Sequence, residues 1–167
     1  MGKAVLVNKP IIKAIGIVDV DFGKNVVVIE PVNMYGCKLA DDCFVGPFVE
    51  IQHNVKIGER TRIQSHCFIC ELVTIGADCF IGHGVMFIND SFSSGAPAYD
   101  RPETWLATDI GKKVAIGSNA TVLPVKICDS AVVGAGAVVT QDITIPGYYA
   151  GTPARLVRTL NEPRLKC

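Results

Sequence analysis

The sequence predicts an all-β fold, a parallel β-solenoid built on a six-residue repeat. The first observation is an apolar ladder: Leu39, Val45, Ile51, Ile57, Ile63, Ile69, Ile75, Ile81 and Phe87 recur at intervals of six. The second is a small or β-branched residue four places after each ladder member, as at Cys43, Val49, Val55, Thr61, Cys67, Val73, Cys79 and Val85. The third is glycine directly after the ladder residue, at Gly46, Gly58, Gly76 and Gly82. A period of six suits neither a helix nor one long amphipathic strand. It suits short strands with two inward side chains each, separated by tight corners where glycine relieves strain. Three hexads then close a triangular coil, and the period is the mark of a repeat architecture.

The elements follow in order. Residues 1–20 are less regular, with a turn at Lys9-Pro10. Phe22 and Val28 read as early hexads, with a register slip before Leu39. After Phe87 the ladder breaks and resumes at Ile110, Ile116 and Val122, then slips one residue short to Ile127, Val133 and Val139. The stretch from about 88 to 109 carries Ser, Gly, Pro and charge, and is expected to be a loop thrown out from the solenoid; loops of this length are usually functional. In the tail, 148–167, a turn is expected from Tyr148 to Thr152 and a short helix from Ala154 to Leu160. The whole chain, 1–167, reads as a single domain.

Composition narrows the function classes. Of 167 residues 49% are apolar and 19% charged, which excludes a disordered chain. Sixteen basic residues balance sixteen acidic ones, so no net positive charge favours nucleic acid or an anionic membrane. No apolar run approaches a spanning helix, and the N-terminus lacks a signal-peptide layout. Met1-Gly2 is not a myristoylation signal, because Leu6 stands where that motif wants Ser or Thr. The expectation is a soluble cytoplasmic protein.

Seven cysteines invite a metal or disulfide reading, but the register argues against it. Cys37, Cys43, Cys67 and Cys79 fall on the inward small-residue position and should pack as small hydrophobes. Cys70 and Cys128 occupy corners, and Cys167 is terminal.

The three histidines are more informative. His53 is two after a ladder residue, His66 three after and His83 two after, so all are outward near a corner. His66 and His83 are 17 apart, one short of a full coil, which places them on one edge of adjacent coils about 4.8 Å apart. His53 falls on a different corner. A lone corner histidine is ordinarily only solvated; two on one edge, just before the long loop, point to function, since a neutral imidazole accepts a proton from an attacking nucleophile. Continuing that edge, the next residues are Gly84, then Ser118 or Asn119, then Ala135 or Gly136. All are small, leaving a groove with exposed backbone amides for an extended ligand, although corners favour small residues in any case.

Three segments carry a family resemblance: Ile116-Gly117-Ser118-Asn119-Ala120, Val133-Gly134-Ala135-Gly136-Ala137-Val138-Val139 and Ala150-Gly151-Thr152-Pro153-Ala154-Arg155. They resemble the C-terminal signature of hexapeptide-repeat acyltransferases, over roughly residues 22 to 158. The resemblance implies a left-handed parallel β-helix, against the right-handed preference of parallel crossovers. It also implies a homotrimer with acyl-CoA between subunits. Within that family Asn33-Met34-Tyr35-Gly36-Cys37, Ile63-Gln64-Ser65-His66 and Gly82-His83-Gly84-Val85-Met86-Phe87-Ile88-Asn89-Asp90 look like the branch that acetylates nucleotide-linked 3-amino sugars for surface polysaccharides. Those enzymes often have Asn where His66 stands, so His66 is either a base or a positioning partner. The xenobiotic and galactoside branch has a catalytic His where this chain reads Ile88-Asn89-Asp90-Ser91-Phe92, which sets such an O-acetyltransferase second.

The chemistry implied is attack of an amine on the thioester of acetyl-CoA. His66 orients or deprotonates the amine, with His83 beside it and Asn89 and Asp90 on the sugar. Gly84 and Gly117 amides are candidates for the oxyanion. Gly117, Ser118 and Ala135 continue the cofactor groove, and Lys112, Lys113, Lys126 and Arg155 are candidates for CoA phosphates. The loop brings Tyr99 and Trp105 for stacking and Asp100 and Arg101 for polar contacts. No metal is expected: a zinc carbonic anhydrase of this fold places two of its three histidines five apart, whereas here the gaps are 13 and 17. A non-catalytic scaffold is the remaining alternative.

Overall fold

The computed structural model describes residues 16–99 and 101–160. Lys9-Pro10, Asp100 and the last residues of the tail lie outside them. Strands mostly two or three residues long form three sheets of seven, six and eight strands, parallel except for the last strand, here faces A, B and C. Face A begins at Ile17–Val18, face B at Asp21–Phe22 and face C at Val27–Val28, and every third strand returns to the same face one coil further on. The coils wind as a left-handed parallel β-helix.

The predicted ladder is the core. From Leu39 to Val139 its members are at most 3% exposed, and so are the eight small-position residues from Cys43 to Val85. Each fully buried isoleucine contributes about 2 kcal/mol. Met34 is also fully buried and supplies the missing early rung between Val28 and Leu39.

The corners have a rule that differs from the expected one. Their third residue takes a left-handed backbone at Asp42, Phe48, Asn54, Arg60, His66, Leu72 and Asp78, again every six residues, with φ from 56 to 69° throughout the run. Positive φ at this place is what a type II turn requires, and here side chains rather than glycine mostly meet it. Glycine at the first corner residue has another cause. A Cβ on Gly58 would lie 2.6 Å from the backbone of Gly76 and Ala77, and one on Gly82 2.7 Å from the Ser118 amide. Close stacking of coils, not strain relief, selects glycine there.

Three further expectations are corrected. The loop spans 88–107, because Thr108–Ile110 is already a strand of face B, with Thr108 wholly buried. Residues 148–150 are not a turn but part of strand Gly147–Ala150, parallel to Val132–Val133. The C-terminal helix is absent: Arg155–Thr159 is a strand antiparallel to Gly147–Ala150. A helix of seven residues is marginal alone, whereas the last parallel strand presents unpaired backbone groups that a returning strand satisfies. Arg158 also sits 5.6 Å over the Tyr148 ring.

The irregularities collect at one corner. Between faces A and B, the segment Tyr35-Gly36-Cys37 is one residue short, Leu123-Pro124-Val125 is short again, and the loop leaves from Ile88. The corners between B and C and between C and A keep four residues coil after coil.

The cysteines behave as packing residues. The Cys43, Cys67 and Cys79 thiols donate to the carbonyls of Gly58, Gly82 and Gly111 at 3.2, 3.0 and 3.1 Å. Burial pushes Cys37 and Cys67 up to about 11 and Cys70 to about 12. A raised thiol pKa stabilises the fold fully below the ordinary value of 9.0 and ceases to do so as pH rises through 11 to 12. Alkylation of the native protein at pH 8, mapped by mass spectrometry, should therefore spare Cys37, Cys43, Cys67, Cys70 and Cys79 until denaturant or alkali is added. Native labelling at any of the five contradicts this packing.

Candidate functional site along the C–A corner

Four consecutive corners between faces C and A build the site. Strand pairing aligns Arg62 with Phe80, Ala115 and Val132. The second corner residues therefore stack as Ser65, His83, Ser118 and Ala135, and the third as His66, Gly84, Asn119 and Gly136. His66 and His83 share the edge in adjacent coils as expected, but in neighbouring columns. His83 lies over Ser65, whose Oγ is 2.9 Å from its Nδ1. With Nδ1–H donating to Ser65, Nε2 is left as an acceptor; the reverse polarity makes Nε2 a donor. His66 is exposed and lies against Phe48, the residue below it in its own column, with ring centroids 4.9 Å apart and planes tilted by 32°.

The positive φ of His66, 64°, is shared by corner residues of every kind and carries no functional weight. Ser65 and Phe48 were missed as site residues. Both lie 18 before a histidine, one whole coil, so the 18-residue step finds them where the 17-residue step does not.

Above His66 its column continues through Gly84, Asn119 and Gly136. Gly84 is left-handed, and a Cβ there would strike the Asn119 side-chain oxygen. The two amides expected to serve an oxyanion are occupied, however. Gly84 N–H donates to Ser65 O at 2.9 Å and Gly117 N–H to Val133 O at 2.8 Å. The neighbouring column is the free one: the amides of His83, Ser118 and Ala135 donate to no acceptor among the described residues. The B–C corner differs in part: Asp41 and Asp129 carboxylates accept the Lys24 and Lys112 amides at 2.7 and 2.8 Å, while the Asp41, Glu59 and Ala77 amides there also donate to no acceptor among the described residues. What sets the C–A corner apart is its small residues and its two histidines. Unpaired amides in a row of small residues suit the carbonyls of an extended ligand.

The other expected site residues lie apart. Arg155 follows the turn that caps this corner, where Ala154 N–H donates to Val138 O at 2.8 Å. Lys112 and Lys113 are on the B–C corner, and Lys126 is on face B, across the solenoid from the groove. Asn89 and Asp90 root the loop at the A–B corner, at the far end of strand Met86–Phe87 from His83. The loop root is thus not beside the histidines of its own chain. Asn89 Nδ2 reaches Glu71 O at 3.4 Å. Both Asp90 oxygens hold the loop, accepting the Phe92 amide at 2.9 Å and the Ala98 amide at 2.7 Å. Arg101 Nε turns back to Ala98 O at 3.4 Å. His53 stands on the A–B corner, its ring 4.8 Å from Tyr35, so the three histidines do not converge within one chain. Among the described residues no helix is long and apolar enough to cross a membrane.

Comparison with known proteins agrees with this architecture. The model of the bacterial transferase hexapeptide (six repeats) matches residues 36–71, and that of the hexapeptide repeat of succinyl-transferase matches 108–141. A bifunctional protein GlmU of Paramagnetospirillum magneticum is 33% identical over 143 residues, covering 78% of this chain but only 30% of its own length. The chain therefore spans less than a third of that relative. A crystal structure of a hexapeptide-repeat acetyltransferase of Vibrio cholerae O1 biovar eltor, complexed with acetyl coenzyme A, is 27% identical with a TM-score of 0.62 over 76% of this chain and 72% of its own. A mutant of AntD, an N-acyltransferase from Bacillus cereus in complex with dTDP and coenzyme A, superposes with a TM-score of 0.74 at 20% identity over 83% of each chain; at that identity the likeness is one of fold. The repeat, the solenoid and both repeat models agree that the chain carries bacterial-transferase-type hexapeptide repeats over residues 36–71 and 108–141.

Proposed function

We propose that the chain is a cytoplasmic acetyl-CoA-dependent N-acetyltransferase acting on a nucleotide-linked amino sugar, for surface polysaccharide synthesis. The observation that carries this reading is the row of unpaired amides at His83, Ser118 and Ala135, ending at two histidines. In it the pantetheine arm lies along the groove, with its carbonyls on the Ser118 and Ala135 amides and the thioester near Gly84. Arg155 meets a CoA phosphate. The acceptor amine attacks the thioester carbonyl, a proton leaves the amine, and the CoA thiolate departs. The His83 amide replaces Gly84 and Gly117 as the oxyanion donor. The Vibrio cholerae structure, which holds acetyl coenzyme A, supports the donor; the motifs around Asn33, His66 and Asn89 support the acceptor. O-acetylation of a sugar is the second reading. A thiol-release assay with acetyl-CoA against amino-sugar nucleotides and their hydroxyl analogues separates the two. Release with the amines alone is expected.

His66 is the base or positions the amine. His66→Ala should lower turnover about 10²–10⁴-fold in the first case. In the second the loss is smaller and His66→Asn restores part of it. Turnover of His66→Ala within about twofold of the parent, roughly 0.4 kcal/mol, rejects both.

Faces A and C favour an assembly of more than one chain. Face B carries Asp21, Lys38, Lys56, Thr74, Asp109 and Lys126 outward, a charged surface. Beside Arg62 on C and Asn33 and Glu50 on A, the faces flanking the groove carry Phe44, Phe80 and Val132 on C and Phe68, Met86 and Val138 on A. Phe80 and Met86 are 44% and 40% exposed, an apolar surface that a neighbouring chain would cover. A homotrimer closes the groove in this reading and brings Lys126, Asn89 and Asp90 of one chain toward the histidines of another. Light scattering should give three chains per particle; an active monomer refutes it.

The loop then serves the acceptor. Removing residues 92–104 releases both Asp90 contacts but touches no coil. Folding and acetyl-CoA binding should persist while the acceptor KM rises strongly. Loss of CoA binding with acceptor binding intact would assign the loop to the cofactor instead.

A further inference from the structure

Directly below His66 the corner changes character. Between the coil holding Pro31, Val32 and Asn33 and the coil holding Phe48, Val49 and Glu50 lies a hollow of about 230 Å³. Phe48 forms one wall and also packs against the His66 ring. Asn33 and Glu50 pair across face A and project outward side by side.

The Glu50 carboxylate is held in place. Gln52 Nε2 donates to its Oε1 at 2.9 Å, and the Tyr35 hydroxyl donates to the same oxygen at 3.4 Å. Burial first, then the Glu50 charge, keep the Tyr35 phenol above its ordinary value and therefore a donor. Oε2 and the Asn33 carboxamide have no partner among the described residues. The hollow thus offers a fixed acceptor, a free carboxamide and an aromatic wall.

Size and charge choose the occupant. Sites for drug-sized ligands run to roughly 300–1,000 Å³, and this one suits a single ring. A carboxylate demands ligand donors and repels phosphate or carboxylate groups. An aromatic wall takes the C–H face of a ring. A polyhydroxylated pyranose satisfies all three.

We propose that the hollow between Phe48 and the Asn33–Glu50 pair is the sugar subsite of the acceptor. It takes an uncharged or cationic pyranose ring with its amine directed at His66, and Glu50 sets specificity against anionic sugars. This deepens, and rests on, the acetyl-transfer reading: the donor approaches from Gly84 above, the acceptor ring sits below, and His66 stands at the junction.

The test reads the subsite without turnover. Saturation-transfer NMR on the full chain with 3-amino-3-deoxyglucose as probe is run on the parent, Phe48→Ala and Glu50→Gln, with the melting shift caused by CoA recorded on each. The parent should transfer saturation to the pyranose protons, and both variants should weaken it about tenfold while keeping the CoA shift. A 2-amino uronic acid should show transfer only with Glu50→Gln. No transfer in the parent, or equal transfer in all three, overturns the subsite, as does transfer to the base of UMP that both variants abolish while the sugar gives none. A parent that shows the sugar transfer but no CoA shift keeps the subsite and rejects acetyl transfer.

Discussion

Each coil of this solenoid can satisfy its backbone only through the coils above and below it. Strands two residues long make almost no bonds of their own along the chain. The ladder from Gly23 N–H to Leu39 O through Gly46 N–H to Ile63 O and on to Gly117 N–H to Val133 O is what holds one turn to the next. That requirement fixes the rest. The chain must turn sharply every six residues, so the third corner residue goes left-handed even where it is Phe, Arg, His or Leu, at some local cost. The coils must sit one strand spacing apart, so glycine appears where a Cβ would meet the next backbone.

The same constraint separates the corners by function. Insertions and deletions need a corner that tolerates a change of length, and all of them fall between faces A and B. The C–A corner keeps its four residues throughout, so side chains one coil apart stack in straight columns. A ligand that runs along the axis needs such a regular edge. A long loop cannot be accommodated on it without breaking the row of amides.

Along that regular edge the composition changes once. Above His83 the residues are small and the second-column amides are unpaired; below His66 they give way to Phe48 with Asn33 and Glu50 beside it. A thin flexible chain fits the upper part and a ring the lower. The two histidines at the boundary differ in support, one hydrogen-bonded to Ser65 and the other resting on an aromatic ring.

How much was legible follows from the range of the interactions. The ladder, the small inward positions, the packing role of the cysteines and the shared edge of His66 and His83 are periodic, and periodicity is a property of sequence. The strand at Arg155–Thr159 was not legible, because its local residues suit a helix and only the open edge at Gly147–Ala150 makes it a strand. The occupied amides of Gly84 and Gly117 were not legible either, since their acceptors, Ser65 O and Val133 O, are set by how coils stack. Nor was the distance between the loop root and the histidines, which depends on which of three equivalent corners the insertion uses. Sequence by itself determined the repeat and therefore the solenoid, because burying one apolar residue in six is a local, recurring demand. Only the tertiary structure decided which amides remain free and which side chains share a column, because both depend on backbone atoms a full coil away.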